Sequence, residues 1–161
     1  GVYGVKAFDF SRGKGRELLR DEEAGIDPDV VGGCRVRNEG DDDDNDFGAQ
    51  RPRCSYDPER TVAVFYLDVR SNRTPWKKGW SGWRPDHDGD FLGEEQWRWF
   101  ESALIRSDAA VNVVVSGIQF HADRFPSSHV AEEWSKFPRS RSRLYDAVLS
   151  KGVRGGVVLV R

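Results

Sequence analysis

Methionine is absent from all 161 residues, and cysteine occurs only at Cys34 and Cys54. No apolar run approaches the ~18 residues of a membrane-spanning helix, and no signal-peptide pattern opens the chain, so no membrane span is expected in it. An excess of charge of one sign is missing too: 25 basic against 27 acidic side chains leave a net charge of −2. That balance excludes a globally basic nucleic-acid binder, and no nucleic-acid partner is expected. Aromatic residues make up 12% of the chain, six of them tryptophan, which excludes an acidic solvating chain. What is present is the composition of one ordinary domain. A chain of this length buries roughly two thirds of its unfolded surface and can hold its own core. The lack of methionine, the glycine at position 1 and an apolar run, Gly156 to Val160, that ends one residue before Arg161 lead to the expectation that the chain is a piece of a longer protein.

The even charge hides an asymmetry. Between positions 21 and 46 eleven acidic residues face only Arg35 and Arg37, a local net of −9 that leaves +7 for the remainder. A glycine-containing acidic block with few large apolar groups cannot offset its ordering entropy, so residues 11–60 read as a long acidic, flexible insertion. Cys34 and Cys54 fall inside it. A disulfide between them would close a loop of about 20 residues, worth ~3 kcal/mol, and imply an oxidising compartment; free thiols fit the spacing equally. The aspartate runs do not form an EF-hand, which needs glycine at position 6 and a bidentate glutamate at position 12. Counting from Asp42 those positions are Phe47 and Arg53, and from Asp86 they are Phe91 and Trp97.

Elsewhere strands and helices alternate. Tyr3 to Phe10 reads as an edge or half-buried strand, and Thr61 to Leu67 as a buried one. Trp97, Phe100 and Leu104, three and four apart, mark one face of a helix over Gly93 to Ser107, with Glu94 and Glu95 where its dipole favours anions. Val111 to Val115 follows as a strand. A helix then opens near Pro138, with Leu144, Tyr145, Val148 and Leu149 as its apolar face and Gly152 as its stop, and Gly156 to Val160 is a last buried strand. The fold class is therefore α/β, and near-continuous apolar strands predict a sheet covered on both faces. In such sheets the active crevice lies beyond the carboxyl ends of the strands, which selects Asp68 with Arg70, the stretch Ser116 to His121, and whatever follows Arg161.

Those strand ends carry a resemblance. Leu67-Asp68-Val69-Arg70 resembles the "LDxR" of the PhoD-like phosphatases, the alkaline phosphatase D family within the calcineurin-like metallophosphatases. Leu92 to Glu101 is similar to that family's "LGxxQWxWLE" helix start. Glu132-Glu133-Trp134 with Phe137-Pro138 and Arg141 to Leu144 resembles its "EEWxxFPxxRxRL", and Gly1-Val2-Tyr3 its "GVY". The likeness covers 61–160 well, 1–10 weakly and 11–60 not at all. It divides the chain into a strand at 1–10, the insertion at 11–60 and a β-α-β-α-β core at 61–161, together a partial metallophosphatase domain. The resemblance implies a β-sandwich flanked by helices that hydrolyses phosphate monoesters or diesters at a metal centre of iron and calcium. It further implies that the main ligands lie upstream of "GVY" and in a "GDxH" after the last strand, so that this segment by itself turns over no substrate. A catalytically inactive binding module on the same fold is the alternative.

Candidate site residues follow. Arg70 either aims its guanidinium at a substrate phosphate or orders a ligating carboxylate, or it pairs with Asp68 to pin the loop. Gln119 and His121 are placed to face the crevice. His87 among Asp86, Asp88 and Asp90 has the chemistry of a metal site but lies outside the resemblance. Trp76, Trp80 and Trp83 alternate with Lys77, Lys78 and Arg84, either gripping an anionic ligand or packing over the sheet end with Trp76 at the pocket mouth. Arg139, Arg141 and Arg143 diverge at their spacing and read as a solvated face, while Trp97 reads as core and Trp99 as packing under a neighbouring loop. No metal ligand set is assigned within the chain. Oligomeric state and compartment stay open, a secreted or endomembrane setting being compatible.

Overall fold

A computed structural model describes residues 3–10, 16–17, 57–121 and 132–161. The acidic run and both cysteines lie outside the described residues. Of the 11–60 stretch, the short strand at 16–17 and a 3-10 turn, Pro58–Arg60, are described. Asp57 caps that turn by accepting the Glu59 N–H at 3.0 Å, and the chain passes directly into a strand.

The elements are β1 (Gly4–Asp9), β2 (Arg16–Glu17), β3 (Thr61–Leu67), β4 (Lys78–Gly79), β5 (Gly82–Trp83), α1 (Gly93–Arg106), β6 (Val111–Ser116), α2 (Pro138–Val148) and β7 (Gly156–Val160). Five strands form a mixed sheet in the order β2-β1-β3-β6-β7, and β4 with β5 makes a small hairpin. β1 runs antiparallel to β3, whereas β3, β6 and β7 are parallel, so the carboxyl ends of these three lie at one edge. β1 is thus flanked on both sides.

Helix α1 starts where Asp90 Oδ2 accepts the Gly93 N–H at 2.7 Å, and Gly93 takes a φ of +75° that favours glycine. Its buried residues are Gln96, Trp97, Phe100, Ala103 and Leu104, the spacing of one helical face. Past its end Ser107 Oγ donates to Asn112 Oδ1 at 2.6 Å, and Asn112 Nδ2 donates to the Arg154 carbonyl at 2.9 Å, so the buried asparagine of β6 is satisfied. Helix α2 opens on Pro138 and buries Ser140 and Leu144. It ends at Val148, which leaves Leu149 exposed rather than on the apolar face that periodicity alone gave it.

The two helices share one side of the sheet. From β3 the strand order advances in one direction through β6 to β7, and right-handed crossovers then place both helices on the same face. Phe65 meets Phe100 edge-on at 6.0 Å, and Arg143 of α2 binds Glu101 of α1. Among the described residues, the helices cover one face of the sheet. Ala63, Phe65, Leu67, Asn112, Val114 and Ser116 are buried beneath the helices, while the alternate positions of the same strands are only partly buried and Tyr66 is exposed. β7 is the end strand of the described sheet, with Val158 and Val160 exposed among the described residues.

The core continues past the sheet end as an aromatic cluster. Phe91 packs on Trp134 at 4.5 Å and on Phe137 at 4.7 Å, and Trp97 meets Trp134 at 6.4 Å. Trp97 is core, and Trp99 lies against Tyr3 at 4.8 Å.

Candidate functional site

At the carboxyl edge of β3, one residue past its last pairing with β6, the backbone of Asp68 is bonded by a helix side chain. Gln96 Oε1 accepts the Asp68 N–H at 2.8 Å, and Gln96 Nε2 donates to the Asp68 carbonyl at 3.0 Å. Gln96 is fully buried, so both bonds are shielded from water. Asp68 Oδ1 in turn accepts the N–H groups of Arg70 at 2.9 Å and Ser71 at 3.0 Å, turning the chain out of the strand. The Asp68 carboxylate therefore holds the main chain of Arg70.

The Arg70 guanidinium is turned to Glu132. Nη1 donates to Oε1 at 3.2 Å and Nη2 to Oε2 at 3.3 Å, a two-point pair between exposed side chains. Glu132 is held below the ordinary carboxylate range, first by the hydrogen bond from Arg70, then by the charge of Arg70, with smaller contributions from the charges of Arg73 and Arg161. Arg73 from β3's exit loop and Arg161 at the end of β7 thus lie near enough for their charges to act on Glu132. Arg73 is fixed there: its guanidinium lies 4.2 Å over the Trp76 ring and Nη1 donates to the Thr74 carbonyl at 2.9 Å.

Trp76 is half-buried, stacked on Phe137 at 5.0 Å and 5° with Phe91 edge-on at 5.7 Å. It joins the aromatic cluster and carries Arg73 on its other face. Gln119 presents an exposed side chain, while its backbone pairs with Glu133 in an isolated parallel bridge and its carbonyl accepts the Trp134 N–H at 3.0 Å. His121 is exposed and stacks on Tyr145 of α2 at 5.5 Å, with the Tyr145 hydroxyl 3.2 Å from Nδ1. The structure thus links Gln119 to the segment that bears Glu132, and gives His121 a partner on α2.

The carboxylates around His87 do not converge. Asp86 binds Lys77 Nζ at 2.7 Å, and that bond chiefly holds its carboxyl below its ordinary value. Asp88 accepts from Arg139 at 2.7 Å, and Asp90 Oδ1 takes the Trp97 indole at 2.8 Å and the Ser140 hydroxyl at 2.7 Å. His87 itself is exposed. Among the described residues no three His, Cys, Asp or Glu side chains are grouped so as to hold a metal ion. The described side chains therefore do not fit the iron and calcium centre that the resemblance implies. The tryptophans of the 76–83 stretch have separate neighbours: Trp83 lies under Lys78 at 5.8 Å, and Trp80 stands fully exposed at the turn of the β4–β5 hairpin. Arg143 is not on a solvated face: it donates to Glu101 at 2.7 and 3.1 Å and to Glu94 at 2.9 Å and covers the Trp97 ring at 4.7 Å. These bonds, Glu101's first, raise its already high pKa further.

Gln96 and Glu132 hold Asp68 and Arg70 in place, and both sit inside the quoted motifs, as the glutamine of "LGxxQW" and the first glutamate of "EEW". The signal available for Gln96 was its place on the apolar stripe of the helix, beside Trp97 and four before Phe100; nothing local marked Glu132.

The fold is an α/β arrangement of a mixed sheet and two helices, in which the "LDxR" strand end is tied to both other motif segments. Residues 50–160 match the family model described as PhoD-like phosphatase. The chain belongs to the PhoD-like phosphatase family. No curated protein matches it. A solved structure titled "Structure of PhoD" is 25% identical over 62% of this chain, with a TM-score of 0.48. The chain spans 21% of that protein's length.

Proposed function

We propose that this chain is the carboxyl-side part of a metal-dependent phosphohydrolase domain that cleaves phosphate monoesters or diesters, with Arg70 contacting the phosphoryl oxygens of the substrate. The observation that carries this reading is the Arg70 guanidinium itself. It stands at the carboxyl edge of three parallel strands, where open α/β sheets bind ligands, and three of its five N–H groups have no partner among the described residues. Arg73 and Arg161 add positive charge in the same region, as an anionic substrate requires. The iron and calcium expected of the family would be held by segments outside the described residues, and this chain alone would be inactive. The apolar outer face of the sheet, with Val62, Val64, Val113, Val115 and Val158, supports a β-sandwich whose second sheet packs there.

The test uses the complete protein. Metal content is measured by elemental analysis, and hydrolysis of a chromogenic phosphate monoester and diester is compared with and without chelator. Bound iron or calcium with chelator-sensitive hydrolysis, reduced about 10- to 100-fold in kcat/KM by Arg70→Ala, is the expected result. A folded, metal-free and inactive protein would overturn it in favour of a binding module, for which the exposed Trp80 hairpin is the first surface to probe.

A further inference from the structure

Arg70 and Glu132 are 62 residues apart and meet because two independent anchors bring them to one end of the sheet. On the Arg70 side, Gln96 fixes the Asp68 backbone and Asp68 fixes the Arg70 N–H. On the Glu132 side, Glu133 bridges to Gln119, and the buried Trp134 donates its indole N–H to Ser116 Oγ at 3.1 Å. Glu132 is the exposed side chain just outside that anchor.

An exposed ion pair adds little to stability, but a two-point pair fixes the geometry of the guanidinium. The carboxylate takes one N–H from Nη1 and one from Nη2 and so lies across the end of the guanidinium, fixing its plane. Nε–H and the second N–H of Nη2 lie side by side on the long edge, which suits two oxygens of a tetrahedral oxyanion. A free arginine loses rotamer freedom when it grips a ligand, whereas one already held by a carboxylate loses less.

We propose that Glu132 is a positioning residue for Arg70: it holds the guanidinium end-on and leaves the Nε–Nη2 edge presented to a phosphoryl group. This rests on the reading of Arg70 as a phosphate contact, and the experiment separates the two. In the complete protein, calorimetric binding of inorganic phosphate and steady-state kinetics with a chromogenic monoester are compared for the parent, R70A, E132A, E132Q and the R70A/E132A double variant. Thermal unfolding of the same samples reports folding. R70A should weaken phosphate binding about 10- to 100-fold. E132A should weaken it about 3- to 10-fold, with the loss mainly in KM, and E132Q, which keeps one acceptor oxygen, should fall between parent and E132A. In the R70A background, removal of Glu132 should cost nothing more. Parent-like or tighter phosphate binding by E132A, or an equal loss with Arg70 already absent, would overturn the positioning role while leaving Arg70 as a contact. Unchanged binding by R70A would overturn both.

Discussion

Arg143 joins the two helices through four interactions: two bonds to Glu101, one to Glu94, and a face on Trp97. It is about one third exposed, so screening limits what those charges contribute. Arg143→Ala should therefore cost about 1–2 kcal/mol in urea unfolding, and Arg143→Lys should recover little, since an ammonium cannot span both glutamates and the indole face. Trp134 has a different weight. Its indole N–H is the buried partner of Ser116 Oγ, and its ring contacts Phe91, Trp97 and Phe120. Trp134→Phe should lose about 1–2 kcal/mol by deleting that bond, and Trp134→Ala about 3–5 kcal/mol by opening a cavity. A smaller loss for alanine than for phenylalanine would show that the ring is not where the structure places it. Neither role was legible from spacing. Arg143 read as a diverging surface arginine because its partners lie 42 and 49 positions away.

Among the elements, β3 and the start of α1 were read to the residue, because a β-branched run and a three-four apolar spacing are properties of the local chain. The turn into β7 was not. Gly155 has a φ of +68°, and a Cβ there would meet the Ala109 and Ala110 carbonyls, while the neighbouring Gly156 N–H binds the Ala110 carbonyl at 2.9 Å. Gly155→Ala should destabilise by more than the ~1–2 kcal/mol of left-handed backbone strain alone, read as a fall in unfolding midpoint. The charged links between elements also set a pH dependence. Glu94 is held below its ordinary 4.5 chiefly by the hydrogen bond from Arg143, Glu132 below 4.5 by that from Arg70, and Asp86 below 3.8 by that from Lys77. A carboxyl that is lowered in the folded state stabilises it above the ordinary value, and this contribution is lost as pH falls through the folded value. Urea midpoints should stay level from neutral pH to about 5 and decline below about 4.5, and Glu94→Gln should flatten part of that decline.

For the molecule as a whole, periodicity did not tell which face of the sheet the two helices cover. A strand such as Val111-Asn112-Val113-Val114-Val115 reads as near-continuously apolar, and its side chains alternate between a face buried under the helices and one that the described residues bury only in part. The deciding fact is strand order, which periodicity does not contain. Given that order, the handedness of the crossovers settles the rest. Val158, 47% exposed on the outer side of β7, tests what that side is for. Val158→Lys should change the stability of this chain alone by no more than about 0.5 kcal/mol, the range of ordinary surface substitutions. In the complete protein it should lower the unfolding temperature and the activity if a second sheet packs there, and equal effects in both would argue that nothing does. The site was legible in part for the same reason: the strand-end segments announced Asp68 and Arg70, but the partners that orient them come from α1 and from the approach to α2.

The Gln96 amide has a mechanical consequence. By offering Asp68 one acceptor and one donor, it imitates the rung of an adjacent strand, so β3 is in effect splinted one residue beyond its last pairing with β6. Strand ends ordinarily fray, and a side chain mounted on a fraying end inherits that motion. Here the loop bearing Arg70 departs from a point as rigid as the helix it is clamped to, and amide exchange at Asp68 should be as slow as at Phe65 in mid-strand.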